Sequence, residues 1–491
     1  MSNVDSLSYF LPFTVLFLGM AAVLLADLAG GARAAKWLPR VAGVAFVLSG
    51  LAALRLFHAG ERSLFMGMIA TDPFAVFFQT FFALVGLVIV LFSLRSDEVN
   101  QGNVGEYYAL LLATVFGMGL MASATDLLMI YLALEMVSVL SYIVTGFLPR
   151  NRRSSEAALK YVLYGAMASG IMIFGMSFLY GLTGSTNVHQ IGRTLAQGGY
   201  EPITLFVAVV MILVGIGYKI AAVPFHFWSP DVYEGAPLPF TAFLSVGPKA
   251  AGFAMAVRFF YSALARPATE GLWVALDDVD WPLLLAGVSV ATMTLGNFVA
   301  LWQRNLKRLL AYSSIAHAGY LLLGLVALSA QGLEATMFYL VAYLFMNLGA
   351  FLVVLGVSRS VRTEDISGFA GLGWRSPLVG VTMTIFLIAL TGLPLTAGFV
   401  GKFYLLAALV RADYTWLALI AVLNVVVSLY YYVHIVKVMY FDDPTDSAPI
   451  ELPSLHPPLL VLLAAPTIVF GLFWAPLLRI TRASLVFYTG P

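Results

Sequence analysis

The sequence predicts an all-α polytopic membrane protein of about fourteen transmembrane helices, and three observations carry that prediction. The 491 residues are 61% hydrophobic and only 10% charged, more apolar surface than a soluble chain of this size can hide from water. The apolar runs last about 20 residues, as membrane helices require, instead of alternating over about 10 as barrel strands do. The polar connections between runs are each too short to hold a soluble domain. Any chemistry must therefore take place in the bilayer or at its surface.

Taken in order, the candidate spans lie near 8–28, 38–57, 73–94, 106–122, 125–148, 157–181, 203–222, 238–263, 281–302, 309–328, 334–358, 376–410, 416–440 and 458–479. The first run contains Asp27 and has no basic region before it, so it reads as a span and not as a cleaved signal. The run at 376–410 is longer than one crossing needs and shorter than two. It contains Thr391-Gly-Leu-Pro-Leu-Thr-Ala-Gly398, which reads as a break in one helix. Basic residues concentrate in alternate connections: Arg33, Lys36 and Arg40; Arg95; Arg150, Arg152 and Arg153; Arg304, Lys307 and Arg308; Arg359, Arg362 and Arg375. The positive-inside rule makes that face cytoplasmic and puts both termini on the other side.

Composition excludes several functions. A net charge of +1 with no basic arm implies no nucleic-acid partner. The absence of cysteine excludes disulfides, cysteinyl zinc sites and cysteine-held iron–sulfur clusters. No Gly-rich fingerprint follows a strand, so nothing here reads as a dinucleotide site. The partner that composition does imply is the lipid bilayer.

The most informative stretch is Gly215 to Pro237, where Lys219 sits deep in an apolar run, followed by Pro224 and His226. A bilayer penalises both the charge and the backbone groups that proline frees. Pro394 then Lys402 repeat the device in the second half, in reversed order and crossing in the opposite sense, as inverted repeats require. Glu135, Lys219, Lys249 and Lys402 all lie inside predicted spans. Each costs about 2.5–3.5 kcal/mol at a bilayer centre unless it faces protein and finds a partner.

Glu135 shares a helix face with Ser138 and Tyr142, and is placed to pair with Lys219 across the interior. Pairing keeps both groups charged, whereas loss of the partner lets desolvation favour the neutral lysine, so such a lysine can load and unload a proton. A single Glu–Lys pair also serves to lock two helices together. Three lysines in three spans, two of them beside breaks, fit proton chemistry better.

His226 and His317 lie at membrane depth as candidate relays or as hydrogen-bonded helix contacts, and His317 shares a face with Ser313 and Tyr320. Arg258 either extends the polar line from Lys249 or snorkels, as does Lys437 near His434. Asp72, Glu156 and Lys160 fall near span ends, and Asp231 with Glu234 reads as a solvated loop that also marks a possible entry point.

Several long motifs carry a resemblance. They are Val223-Pro-Phe-His-Phe-Trp-Ser-Pro-Asp-Val-Tyr-Glu-Gly-Ala-Pro, Phe243-Leu-Ser-Val-Gly-Pro-Lys-Ala-Ala-Gly-Phe, Arg153-Ser-Ser-Glu-Ala-Ala-Leu-Lys-Tyr, Ala311-Tyr-Ser-Ser-Ile-Ala-His-Ala-Gly-Tyr and Gly392-Leu-Pro-Leu-Thr-Ala-Gly-Phe-Val-Gly-Lys-Phe. Over about residues 105–441 the chain closely resembles the subunit N family of proton-pumping NADH:quinone oxidoreductase, respiratory complex I, one of its antiporter-like subunits.

The resemblance implies three N-terminal helices (1–104), two inverted five-helix repeats (105–263 and 264–441) and a C-terminal transmembrane helix (442–491). It implies that Glu135, Lys219, Lys249 and Lys402 translocate protons, that His226 and His317 extend the polar axis, and that Pro224 and Pro394 break the helices. By the same resemblance the partners are other membrane-arm subunits in a bacterial inner membrane. No cofactor is expected in this chain, with NADH, FMN, iron–sulfur clusters and quinone bound elsewhere in the complex. The family's kin include multisubunit sodium/proton antiporters, so a cation/proton antiporter component is the alternative, and a scaffold whose polar axis only holds neighbours in place is a further one.

Overall fold

A computed structural model describes residues 3–94, 96–99, 103–268, 271–276, 278–444, 450 and 452–487. Arg95, counted above among the basic connections, lies outside the described residues. The architecture is an all-α membrane bundle. Among the described residues twelve single helices are long and apolar enough to cross a bilayer. They include α1 (Leu11–Gly30), α2 (Leu38–Arg55), α3 (Pro73–Ser93), α4 (Val104–Ser123), α5 (Leu127–Thr145) and α6 (Arg152–Thr183). The amphipathic α7 (Val188–Gln197) follows, and then the first broken span, α8 (Pro202–Ile220) with α9 (Trp228–Gly235). Next come α10 (Leu238–Ala263), α11 (Trp281–Ala300), α12 (Leu306–Val326) and α13 (Ala330–Val361). The second broken span is α14 (Pro377–Thr391) with α15 (Ala397–Arg411), and α16 (Thr415–Phe441), α17 (His456–Leu472) and α18 (Ala475–Ala483) complete the chain. Two short antiparallel strand pairs, 62–64 with 69–71 and 265–267 with 273–275, lie in the connections of the described residues.

Local sequence sets the helix starts. Asp72, Asp126, Asn151, Asp280, Asn305 and Ser329 each accept a hydrogen bond from a first-turn amide of the helix they precede. Proline stands in the first turn of α2, α3, α8, α10, α11 and α14, where its missing N–H costs nothing. The last span departs from expectation. The run at 458–479 bends by 89° between α17 and α18, so α18 leaves the direction of the crossing. Its Arg482 pairs with Glu334 on α13 at 2.9 Å.

The helix α10 is the axis of the packing. It is the least apolar of the twelve single crossing helices and the only one whose membrane window is wholly buried. A helix that meets protein on all sides needs no lipid-facing apolar surface, which is why α10 can carry Lys249 and Arg258.

The two breaks are closed by the protein itself. At the first, Ala221 takes a left-handed conformation (φ 57°), and the Ala222 amide turns back to the Gly217 carbonyl at 2.8 Å. The Tyr218 carbonyl accepts from Trp228 Nε1 at 3.1 Å, and the Val223 amide donates to Thr292 Oγ1 at 3.0 Å. Groups freed at membrane depth thus find side chains.

At the second break Gly392 has φ 88°, and its amide bonds the Ile388 and Ala389 carbonyls, both at 3.0 Å. A Cβ there would stand 2.8 Å from Lys402 Cδ. Gly392→Ala is therefore expected to cost about 1–2 kcal/mol from the left-handed backbone and further to displace the lysine. Thermal unfolding of the purified complex measures the loss.

Candidate functional site

The four intramembrane charges singled out in the sequence fall on four helices, α5, α8, α10 and α15. Lys219 lies in the last turn of α8, where the carbonyl end of the helix favours a cation. It is buried, and its Nζ donates to Ser138 Oγ on α5 at 3.0 Å. The direct ion pair expected with Glu135 is absent among the described residues: Ser138, one turn along α5, takes the lysine instead. Glu135 Oε1 is buried without a hydrogen-bond partner. The residue as a whole is half-buried and flanked on its face by exposed Leu132 and Val139.

Lys219 packs closely against the helix that carries Lys249. A Cβ on Gly252 would meet Ile220 Cγ2 at 2.7 Å and Lys219 Cγ at 3.3 Å, so only glycine lets the lysine stem lie against α10. Gly252 is one turn from Lys249. The Lys249 ammonium donates to Ser314 Oγ on α12 at 2.6 Å, and Ser314 also bonds the Tyr233 hydroxyl of α9 at 3.3 Å.

From there α12 carries the line. Ser314, His317 and Tyr320 recur every three residues on one face and span about 9 Å of helix. His317 Nδ1 meets the Tyr339 hydroxyl at 2.6 Å and its Nε2 meets the Tyr432 hydroxyl at 3.3 Å, so both ring nitrogens are engaged. Tyr432 also bonds Ser313.

Lys402 completes the series. Its ammonium lies 4.4 Å from the centre of the Tyr320 ring and donates to the carbonyls of Leu390 and Thr391 at 3.0 and 2.9 Å. Those carbonyls end α14. Both lysines beside breaks thus belong to the negative end of an interrupted helix, Lys219 by its place in the last turn of α8 and Lys402 by reaching back from α15 to the carbonyls of α14. The reversed order in sequence gives the same electrostatics. Pro224 and Pro394 belong to the two breaks.

The structure places other candidates differently. His226 is buried in the first break with Nδ1 lacking a hydrogen-bond partner, and no hydrogen bond joins it to the lysines among the described residues. Arg258 neither snorkels nor extends the line. It is fully buried in a two-pronged bond to Asp72, 2.9 Å on each arm, with Nε donating to the Ala122 carbonyl at 2.7 Å. Asp72 is likewise fully buried: it is affordable because Arg258 pairs with it, not because it sits at a span end.

Asp231 and Glu234 are not a solvated loop. They lie on α9 and bind Arg308 at 2.6 and 2.9 Å; Asp231 also binds Lys160 at 2.6 Å. That cluster pins α9 between α6 and α12.

The sequence reading missed Ser314, Tyr233, Tyr339, Tyr432, Tyr343 and Asn347. Asn347 Nδ2 bonds Ser245 on α10 at 2.6 Å, while Asn347 Oδ1 and the Tyr343 hydroxyl are buried without hydrogen-bond partners. Tyr343 faces His317 with ring centres 5.0 Å apart. Buried polar atoms of this kind ordinarily hold water. Ser314 was findable, three residues before His317 on the same face. Tyrosine and serine are too common in membrane helices for the others to stand out.

Comparison with known proteins gives the family. The family described as NADH:quinone oxidoreductase/Mrp antiporter, TM, matches residues 124–428. The chain is 46% identical to NADH-quinone oxidoreductase subunit N of Anaeromyxobacter sp. (strain Fw109-5), covering 99% of this chain and 98% of that one. It is 48% identical to NADH-quinone oxidoreductase subunit N 2 of Chloroherpeton thalassium, over 91% of this chain and 88% of that one. Among solved structures it matches a chain of respiratory complex I from Thermus thermophilus with TM-score 0.81 and 30% identity, covering 96% of this chain and 99% of that one. A chain of the Mrp complex from Dietzia sp. DQ12-45-1b shares the fold, with TM-score 0.85 at 20% identity over 97% of each chain. The chain belongs to the subunit N family of NADH-quinone oxidoreductase, the antiporter-like membrane subunits of the complex I translocase.

Proposed function

We propose that this chain moves protons across the membrane along the buried line Glu135, Lys219, Lys249, His317 and Lys402, driven by redox chemistry in other subunits. The observation that carries the reading is the succession of titratable groups on packed helices: Lys219 bonds Ser138, its stem lies on Gly252 one turn from Lys249, Lys249 bonds Ser314, and Lys402 lies over the Tyr320 ring. The two broken helices act as the halves of an inverted repeat, with Pro224 and Pro394 freeing the carbonyl ends beside which the lysines hold charge. His226 serves the first break as a possible second relay.

The energetics suit the task. Moving one proton against 100 mV costs about 2.3 kcal/mol, which one or two pKa units, at about 1.4 kcal/mol each, can supply. A change in the charge facing Lys219 is thus enough to drive a step. Glu135 is the element that makes that change. The residue is half-buried between exposed Leu132 and Val139, which calls for cover by a neighbouring membrane-arm subunit, since a charged residue is costly against lipid. NADH, FMN, iron–sulfur clusters and quinone belong to those other subunits. The basic-rich face is cytoplasmic, both termini lie opposite, and the membrane is the bacterial inner membrane.

The test is Lys219→Ala in the assembled complex, reading protons moved per NADH oxidised in sealed vesicles. The ratio is expected to fall by this chain's full share. Normal assembly with an unchanged ratio would sink the proposal, and a dependence of transport on sodium would favour a cation/proton antiporter.

A further inference from the structure

A cavity of about 610 Å³ opens on the basic-rich face, between the connection that follows α3, the end of α9, the start of α12 and the end of α13. Its wall holds Glu98, Glu234, Lys307, Glu364 and His456. His456, the first residue of α17, is 3% exposed, and neither of its ring nitrogens has a hydrogen-bond partner. Gly356 of α13 makes room for it, since a Cβ there would stand 3.3 Å from His456 Nδ1. A buried imidazole with two idle nitrogens costs about 1–3 kcal/mol per unsatisfied group, so a purely structural part is a poor use of it.

The opposite wall leads inward. Glu98 Oε2 accepts from the amide of Leu238 at 2.7 Å, the first residue of the helix that carries Lys249. Burial pushes the Glu98 carboxyl above the usual range, against the pull of Lys307 and of the Leu238 amide. Lys307, itself 3% exposed, donates to the Glu234 carbonyl at 3.0 Å and pairs with Glu364 at 2.6 Å. The neighbour of Glu234 on α9 is Tyr233, whose hydroxyl meets Ser314, the partner of Lys249. One residue of α9 thus separates the cavity from the axis. Carboxylates and cations are mixed on its walls, and Asp97 pairs with Arg359 at its rim at 3.0 Å, so it is not an anion site.

We propose that this cavity is the port by which protons enter the axis, with His456 and Glu98 as its first proton-accepting groups. The assignment rests on the proton-line reading above and adds its mouth. In each passage hydronium gives a proton to one ring nitrogen of His456, leaving water. The imidazolium then releases the proton on its other nitrogen through water to the Glu98 carboxylate. The imidazole is left in its other tautomer, a flip of the ring restores the first before the next passage, and Glu98 hands the proton inward towards Tyr233 and Ser314.

The experiment uses inverted vesicles that hold the assembled complex, with the cytoplasmic face outward, and reads proton uptake per NADH oxidised. His456→Ala is expected to lose the same share of that yield as Lys249→Met. Added imidazole should restore it, whereas thiazole, of like shape but far weaker basicity, should not. A purely structural His456 would respond to neither or to both. If His456→Ala fails to assemble, His456→Asn with Glu98→Gln is expected to show the same loss. Full yield in that double variant alongside a loss in Lys249→Met would overturn the port and leave the axis standing. Full yield in both would overturn the axis, and the port with it.

Discussion

Lys249→Met in the assembled complex is expected to slow proton passage through this chain on the order of 10²–10⁴-fold, the usual cost of removing a positioned proton-transfer group. Assembly should be normal. Lys249 is 2% exposed and its ammonium bonds one serine, Ser314. Methionine fills nearly the same volume, and it removes a buried ammonium that bonds one serine and pairs with no carboxylate among the described residues, a group that is costly to bury. Ser314 keeps Tyr233 as a partner. NADH oxidation should continue with fewer protons moved per NADH, measured by proton uptake and NADH absorbance in the same vesicles.

Asp72→Ala carries the largest expected cost in stability. It leaves the Arg258 guanidinium charged in the core, with the Ala122 carbonyl as its remaining bond. Breaking a buried pair from one side costs about 3–5 kcal/mol. Asp72 also caps α3 through the Ala75 amide at 2.8 Å, worth about 1 kcal/mol more. Thermal unfolding in detergent should show the drop, and adding Arg258→Met should recover most of it. A double variant as unstable as the single one would assign the loss to the cap and the packing, and not to the stranded charge.

Much of this molecule was legible before its structure. Hydrophobic runs located the crossing helices, since in a bilayer every backbone group must be satisfied within the segment. Charge at membrane depth located Glu135, Lys219, Lys249 and Lys402, because a bilayer tolerates such residues only where protein receives them. Partner choice was not legible. Nothing in sequence spacing says that Lys219 takes Ser138 instead of Glu135, or that Arg258 turns to Asp72, 186 residues away. Those outcomes depend on how α5, α3 and α10 pack. The bend between α17 and α18 was likewise hidden in one continuous apolar run. His456 drew no notice because its meaning comes from a cavity built by four distant segments.

If Lys219 and Lys402 stand on one line, their losses are shared. Protons moved per NADH oxidised are compared in sealed vesicles for Lys219→Ala, Lys402→Ala and the double variant. Groups that act in series lose their function once, so effects within one unit do not add. The account predicts that each single variant loses this chain's share and that the double variant loses no more. Losses that add, or no loss in either single variant, would contradict it.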